Sequence, residues 1–149
     1  MVEGSSAVGG TIAVRGTVAV LADDLIWATR LVAAVERSGA GAARLSTMEQ
    51  LATVLAADAE AESVDASTRL LGVIVDLGGR RYDGTAAVAR VAEARLPVIA
   101  VAQHEDQPVR KAALAAGAQR VFSYAKLFTD GPGVIERWLA AERSVGSGA

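Results

Sequence analysis

Cysteine is absent from this 149-residue chain, and histidine occurs once, at His104. Disulfides, thiol catalysis and Cys- or His-rich metal sites are thereby excluded, and the composition is compatible with a reducing compartment. An excess of positive charge is also missing: fifteen Lys and Arg are scattered among seventeen acids, for a net charge of −2. With no basic stripe to meet a polyanion, direct contact with nucleic acid is not expected. Long apolar runs are lacking too. Nothing approaches the ~18 apolar residues needed to cross a bilayer, and Met1 to Gly10 has no basic segment leading into an apolar run of signal-peptide length. The chain therefore reads as soluble and cytoplasmic. Gly78-Gly79 fits neither the dinucleotide-binding nor the P-loop spacing.

What is present is a core-forming composition, 52% hydrophobic over a length that suits one domain. β-Branched runs alternate with alanine-rich stretches of helical period, the pattern of a βα repeat that builds a parallel sheet. Strands are expected at Thr17–Ala22, Ala42–Leu45, Leu70–Val75, Leu96–Val101 and Gln119–Ser123. The first helix carries Leu25, Ala28, Leu31, Val32 and Val35 on one face and stops near Ser38-Gly39. The second is capped at Ser46 or Thr47 and buries Met48, Leu51 and Leu55, and Asp58 to Ser67 reads as a polar loop. A third helix spans Gly84 to Ala94, and a fourth starts near Pro108 and ends at Gly117. A final helix follows Gly131-Pro132-Gly133, with Ile135, Trp138 and Leu139 inward. The fold class is α/β, a doubly wound five-stranded parallel sheet of flavodoxin-like, three-layer type. Residues 17–143 form the domain, between flexible tails at 1–16 and 144–149.

The acids stand out within this frame. Asp23-Asp24 closes the first strand and Asp76 the third, and residues just past the carboxyl ends of parallel strands line the crevice where ligands bind. An acidic pocket of Asp23, Asp24 and Asp76 is expected, suited to a hard cation or a phosphoryl group. Left bare, two carboxylates ~4 Å apart repel by ~4 kcal/mol at an effective dielectric of ~20. A cation, a raised carboxyl pKa, or Arg80 and Arg81 folding back onto Asp76 would each offset that repulsion. Asp23-Asp24 and Asp83 also suit helix capping, the ordinary task of an acid before a helix.

Order, lengths and residues together resemble the receiver domain of bacterial response regulators, from roughly Thr17 to Arg143. The matching features are Asp23-Asp24 after the first strand, Asp76 after the third, Asp83-Gly84 seven and eight residues later, Leu96-Pro97-Val98-Ile99, and Ala115-Ala116-Gly117-Ala118. The resemblance implies that Asp76 is the phosphoacceptor, charged by a histidine kinase. It also implies Mg2+ held by Asp24, Asp76 and a backbone carbonyl near Gly78, and partner or homodimer contacts through the fourth helix, fifth strand and fifth helix.

Two switch positions depart from the family. Ala102 stands where the family has Thr or Ser, so the hydroxyl that couples the phosphoryl group to the output face is missing. Tyr124 stands where its lysine is expected. Lys126, two residues on, begins a Lys-Leu-Phe stretch similar to the family's Lys-Pro-Phe, and is a second candidate for the pocket. The resulting expectation is a single-domain, atypical receiver acting in signal transduction through protein contacts. A flavodoxin-like small-ligand-binding domain is the alternative, and a magnesium-dependent hydrolase with Asp76 as nucleophile is a third reading. His104 reads as a solvated loop residue, and Trp27 with Tyr124 as either a contact surface or a partly buried pair.

Overall fold

Period-2 alternation is visible in the first strand, where Val18 and Val20 turn to one face and Ala19 and Leu21 to the other, all fully buried. A strand buried on both faces needs helices on both sides. A computed structural model describes residues 16–61 and 69–148 and has that arrangement. In chain order the elements are β1 (Thr17–Leu21), α1 (Leu25–Arg37), β2 (Gly41–Leu45), α2 (Met48–Glu60), β3 (Leu70–Asp76), α3 (Gly84–Glu93), β4 (Val98–Ala102), α4 (Gln107–Ala116), β5 (Arg120–Ser123) and α5 (Tyr124–Gly148). The sheet order is β2-β1-β3-β4-β5 with every pairing parallel. The flavodoxin-like expectation holds.

One face of the sheet packs Ala19, Leu21, Val73, Val75, Val98 and Ala100 against Leu51 and Leu55 of α2, Val88 and Val91 of α3, and Ala113 of α4. The other packs Val18, Val20, Ile74, Ile99 and Val101 against Ala28, Leu31 and Val35 of α1 and Val134, Ile135 and Trp138 of α5. Trp138 and Ile135 are core residues, as expected. The indole lies on Gly72, where an added Cβ would come within 2.8 Å of its ring, and its Nε1–H donates to Gln119 Oε1 at 2.8 Å.

Helix ends follow local chemistry. Asp24, Thr47, Asp83 and Asp106 cap α1, α2, α3 and α4 by accepting from the backbone N–H three residues on. Gly117, with φ +123°, ends α4 in a conformation that suits glycine.

Three expectations need adjustment. The loop placed at Asp58–Ser67 begins later, because α2 continues through Glu60 and the Asp58 carboxylate accepts from the Leu70 N–H at 2.9 Å; residues 62–68 lie outside the described residues, as do residues 1–15 of the expected N-terminal tail. Backbone helix also runs to Gly148, into the Gly/Ser-rich end assigned to a tail. Most consequential, α5 does not wait for Gly131-Pro132-Gly133. It starts at Tyr124, directly after β5, and the glycine–proline stretch follows a break at Asp130, whose φ of −143° and ψ of 36° are not helical. No helix among the described residues is long and apolar enough to cross a membrane.

Candidate functional site

Asp76 ends β3 and is 2% exposed. Its Oδ1 accepts from the Gly78 backbone N–H at 2.9 Å and from the Tyr124 hydroxyl in a short hydrogen bond. Burial holds its carboxyl above the usual carboxylate range; the two donors oppose that rise, and the charges of Asp23 and Asp24 add to it. The three acids therefore share one edge of the sheet and feel one another, as their positions after β1 and β3 require.

Each neighbouring acid has an internal task. Asp23 Oδ2 accepts from the backbone N–H groups of Arg80 and Arg81, at 2.8 and 2.6 Å, tying the β1–α1 loop to the β3–α3 loop. Asp24 Oδ1 accepts from Trp27 N–H at 2.9 Å and caps α1. Asp83 caps α3 through Ala86 N–H at 3.1 Å. The guanidinium groups of Arg80 and Arg81 make no ion pair with Asp76 among the described residues; these residues contribute main-chain donors, and to Asp23. Of the three offsets to the acids' repulsion, an arginine counterion on Asp76 is therefore not the one present among the described residues.

Tyr124 is the residue whose role the sequence reading missed. It opens α5, stacks on Trp27 with ring centroids 4.7 Å apart and planes tilted by 45°, and turns its hydroxyl to Asp76. Burial first, then the hydrogen bond to Asp76, raises its pKa far above that of a free phenol, so the group stays a neutral donor. Tyr82 does comparable work lower in the pocket. Its hydroxyl lies 2.7 Å from the Asp76 carbonyl and 3.1 Å from that of Leu21, bracing the ends of β3 and β1. Burial likewise raises the Tyr82 pKa.

These rings explain Gly78-Gly79. A Cβ on Gly78 would lie 2.6 Å from the Tyr124 hydroxyl, and one on Gly79 would lie 2.1 Å from the Tyr82 ring. The glycines make room for two tyrosines. A signal for Tyr82 did exist: it precedes the α3 cap Asp83 and packs in the same cluster as Ala87, the spacing of a hydrophobic staple. Tyr124 had no such local signal.

Of the remaining switch candidates, Ala102 is the buried last residue of β4 and offers only a methyl group. Lys126 is turned away from the pocket. Its Nζ lies 3.7 Å from Asp130, which also accepts from Arg137 at 2.8 Å. Residues two apart on a helix point in nearly opposite directions, so a helix that aims Tyr124 inward aims Lys126 outward. His104 is exposed in the turn before α4, as expected.

Magnesium takes oxygen ligands in near-octahedral order. Here Asp76 Oδ1 receives two donors, Asp24 Oδ1 is a helix cap, and the Tyr124 hydroxyl fills the space over Gly78. Among the described residues no group of three His, Cys, Asp or Glu is arranged to hold a metal ion. In the set Asp24, Asp76 and Gly78 both Oδ1 atoms are thus engaged by the chain's own donors, and the Tyr124 hydroxyl stands over Gly78.

No family model and no curated protein matches this chain. Solved structures do match it. A CheY-like response regulator receiver domain protein from Methanospirillum hungatei JF-1 is 16% identical with a TM-score of 0.69, over 87% of this chain and 98% of that one. A response regulator receiver protein from Burkholderia phymatum is 24% identical with a TM-score of 0.64, over 85% and 96%. The phosphorylated cyanobacterial phytochrome response regulator RcpA is 14% identical with a TM-score of 0.68, also over 85% and 96%. This chain has the fold of response-regulator receiver domains.

Proposed function

We propose that this chain is an atypical receiver module that signals through protein contacts, and that its state does not depend on phosphorylation of Asp76. One observation carries this reading: the carboxylate at the phosphoacceptor position is already engaged by its own chain, through the Gly78 amide and the Tyr124 hydroxyl. A phosphoryl group would bring about two further negative charges to a pocket that already contains Asp23 and Asp24. Every hydrogen bond these acids accept among the described residues comes from a backbone N–H or a tyrosine hydroxyl, none from a Lys or Arg side chain. Ala102 supplies no hydroxyl to pass a phosphoryl signal onward. Mg2+ is accordingly no part of the resting domain in this reading, and a histidine kinase or other signalling protein is a partner by contact.

Exposed apolar surface supports a contact role. Leu25, Ile26 and Phe128 are 62–65% exposed, and Arg30 lies over both the Phe128 and Trp27 rings at 4.4 and 5.6 Å. The α4–β5–α5 face, where the resemblance places partner or homodimer contacts, adds exposed Leu114. The test is incubation with acetyl phosphate and Mg2+ followed by intact-mass measurement. No phosphoprotein is expected. A phosphoprotein that disappears in Asp76→Asn would make this an ordinary phosphoaccepting receiver and defeat the proposal.

A further inference from the structure

Two departures from the family's pattern meet at the Asp76 pocket: no hydroxyl ends β4, and a tyrosine enters where a lysine is expected. Only the tyrosine occupies space. Its hydroxyl is the one side-chain donor that Asp76 receives among the described residues, and it covers Gly78, where even a methyl group would stand 2.6 Å away. Missing groups weaken the binding of an incoming ligand, whereas an occupying group excludes it.

The segment that carries Tyr124 is a unit of its own. Ser123 Oγ accepts from the Lys126 N–H at 3.1 Å at its start, and the non-helical Asp130 separates it from the rest of α5. Leu127, 5% exposed, anchors it on the α1 side of the sheet, and Trp27 backs the Tyr124 ring. Packing from below and stacking from the side hold the phenol over the carboxylate without help from any charge.

We propose that Tyr124 is a lid that determines specificity: its side chain keeps a hard cation and a phosphoryl donor out of the acid pocket, and removing it turns the closed pocket into one that binds Mg2+ and accepts phosphate. This inference rests on the closed-pocket reading of function and assigns the closure to one residue. In the opened pocket an Asp76 carboxylate oxygen attacks the phosphorus of acetyl phosphate. A new O–P bond forms, the P–O bond to the acetyl group breaks, and acetate leaves with the electron pair. No oxidant or reductant is involved.

The experiment compares wild type, Tyr124→Phe and Tyr124→Ala, the two variants also in an Asp76→Asn background, with circular dichroism as the check on folding. Mg2+ binding is measured by calorimetry with MgCl2 alone, and phosphate uptake by intact mass after incubation with acetyl phosphate and Mg2+. Tyr124→Ala is expected to bind Mg2+ at least about tenfold more tightly than wild type and to gain one phosphate, both lost with Asp76→Asn. Tyr124→Phe, which keeps the ring and loses the donor, is expected to fall between. A folded Tyr124→Ala within about twofold of wild type for Mg2+, with no phosphate gained, overturns the lid while leaving the functional reading intact. If Tyr124→Ala does not fold, Tyr124→Phe decides: no gain in Mg2+ affinity overturns the lid. A phosphorylated wild type defeats the functional reading, and the lid is then judged on Mg2+ affinity in the same variants.

Discussion

Asp76 and Asp130 are the same residue type in opposite settings, joined through the first turns of α5. Asp76 is buried, its carboxyl raised chiefly by desolvation, and its side-chain partner is the neutral hydroxyl of Tyr124. Asp130 is in water, its carboxyl lowered first by the hydrogen bond from Arg137, with Lys126 adding to the effect. The cations of this region thus sit at the surface, and neutral donors serve the interior. Burying a guanidinium or ammonium beside Asp76 would carry its own desolvation cost; a phenol supplies a donor without a second charge. The pocket is acidic in composition, yet in the resting protein it is tended by amides and hydroxyls.

The largest effect is expected where the two settings share a support. Leu127 lies beneath the turn between Tyr124 and Asp130, and Leu127→Ala should cost ~2–5 kcal/mol in denaturant unfolding, the range for truncating a buried leucine. A loss under ~1 kcal/mol would mean that the segment is not anchored there.

A smaller effect, with a definite sign, separates the interior carboxyl from the exterior one. The folded protein holds the Asp76 proton more tightly than the unfolded chain, so this group's contribution is most favourable below the ordinary Asp range and is lost as pH rises through the raised folded value. Asp76→Asn carries no charge at any pH. It should therefore melt at a higher temperature than wild type at pH 7, and the gap should close as pH falls toward ~4. Thermal melts across that range decide the matter; a wild type more stable than the variant at neutral pH would reveal a favourable partner for the ionised form.

The smallest effect is expected outside. Asp130→Asn removes an exposed ion-pair acceptor, and its shift in melting temperature should be the least of the three and should shrink further in high salt. A shift rivalling that of Leu127→Ala would show that the break in α5 depends on the charge.

Much of this is legible in the sequence. Hydrophobic alternation and capping acids mark the strands and helices, and their order places Asp23, Asp24 and Asp76 at one sheet edge, because every strand of a parallel sheet ends on the same side. Ala102 ends β4, as its place in the sequence suggests. The start of α5 was misplaced. Gly131-Pro132-Gly133 reads as a helix start, while Tyr124-Ala125-Lys126-Leu127 has no cap strong enough to announce one; Ser123 supplies it from the end of a strand. With the helix start misplaced, Lys126 was a candidate for the pocket. Gly78-Gly79 could not be explained either, since their partners are the rings of Tyr124, far along the chain, and of Tyr82 across a loop.

Local pattern, then, decided the number, type and order of the elements and the gathering of acids, because periodicity, capping and strand polarity act over a few residues at a time. Which group answers those acids was decided only by packing. A rotation of about 200° separates residues two apart on a helix, so the start of α5 turns Tyr124 in and Lys126 out, and that choice depends on what Trp27 and Leu127 touch rather than on the residues beside them in the chain.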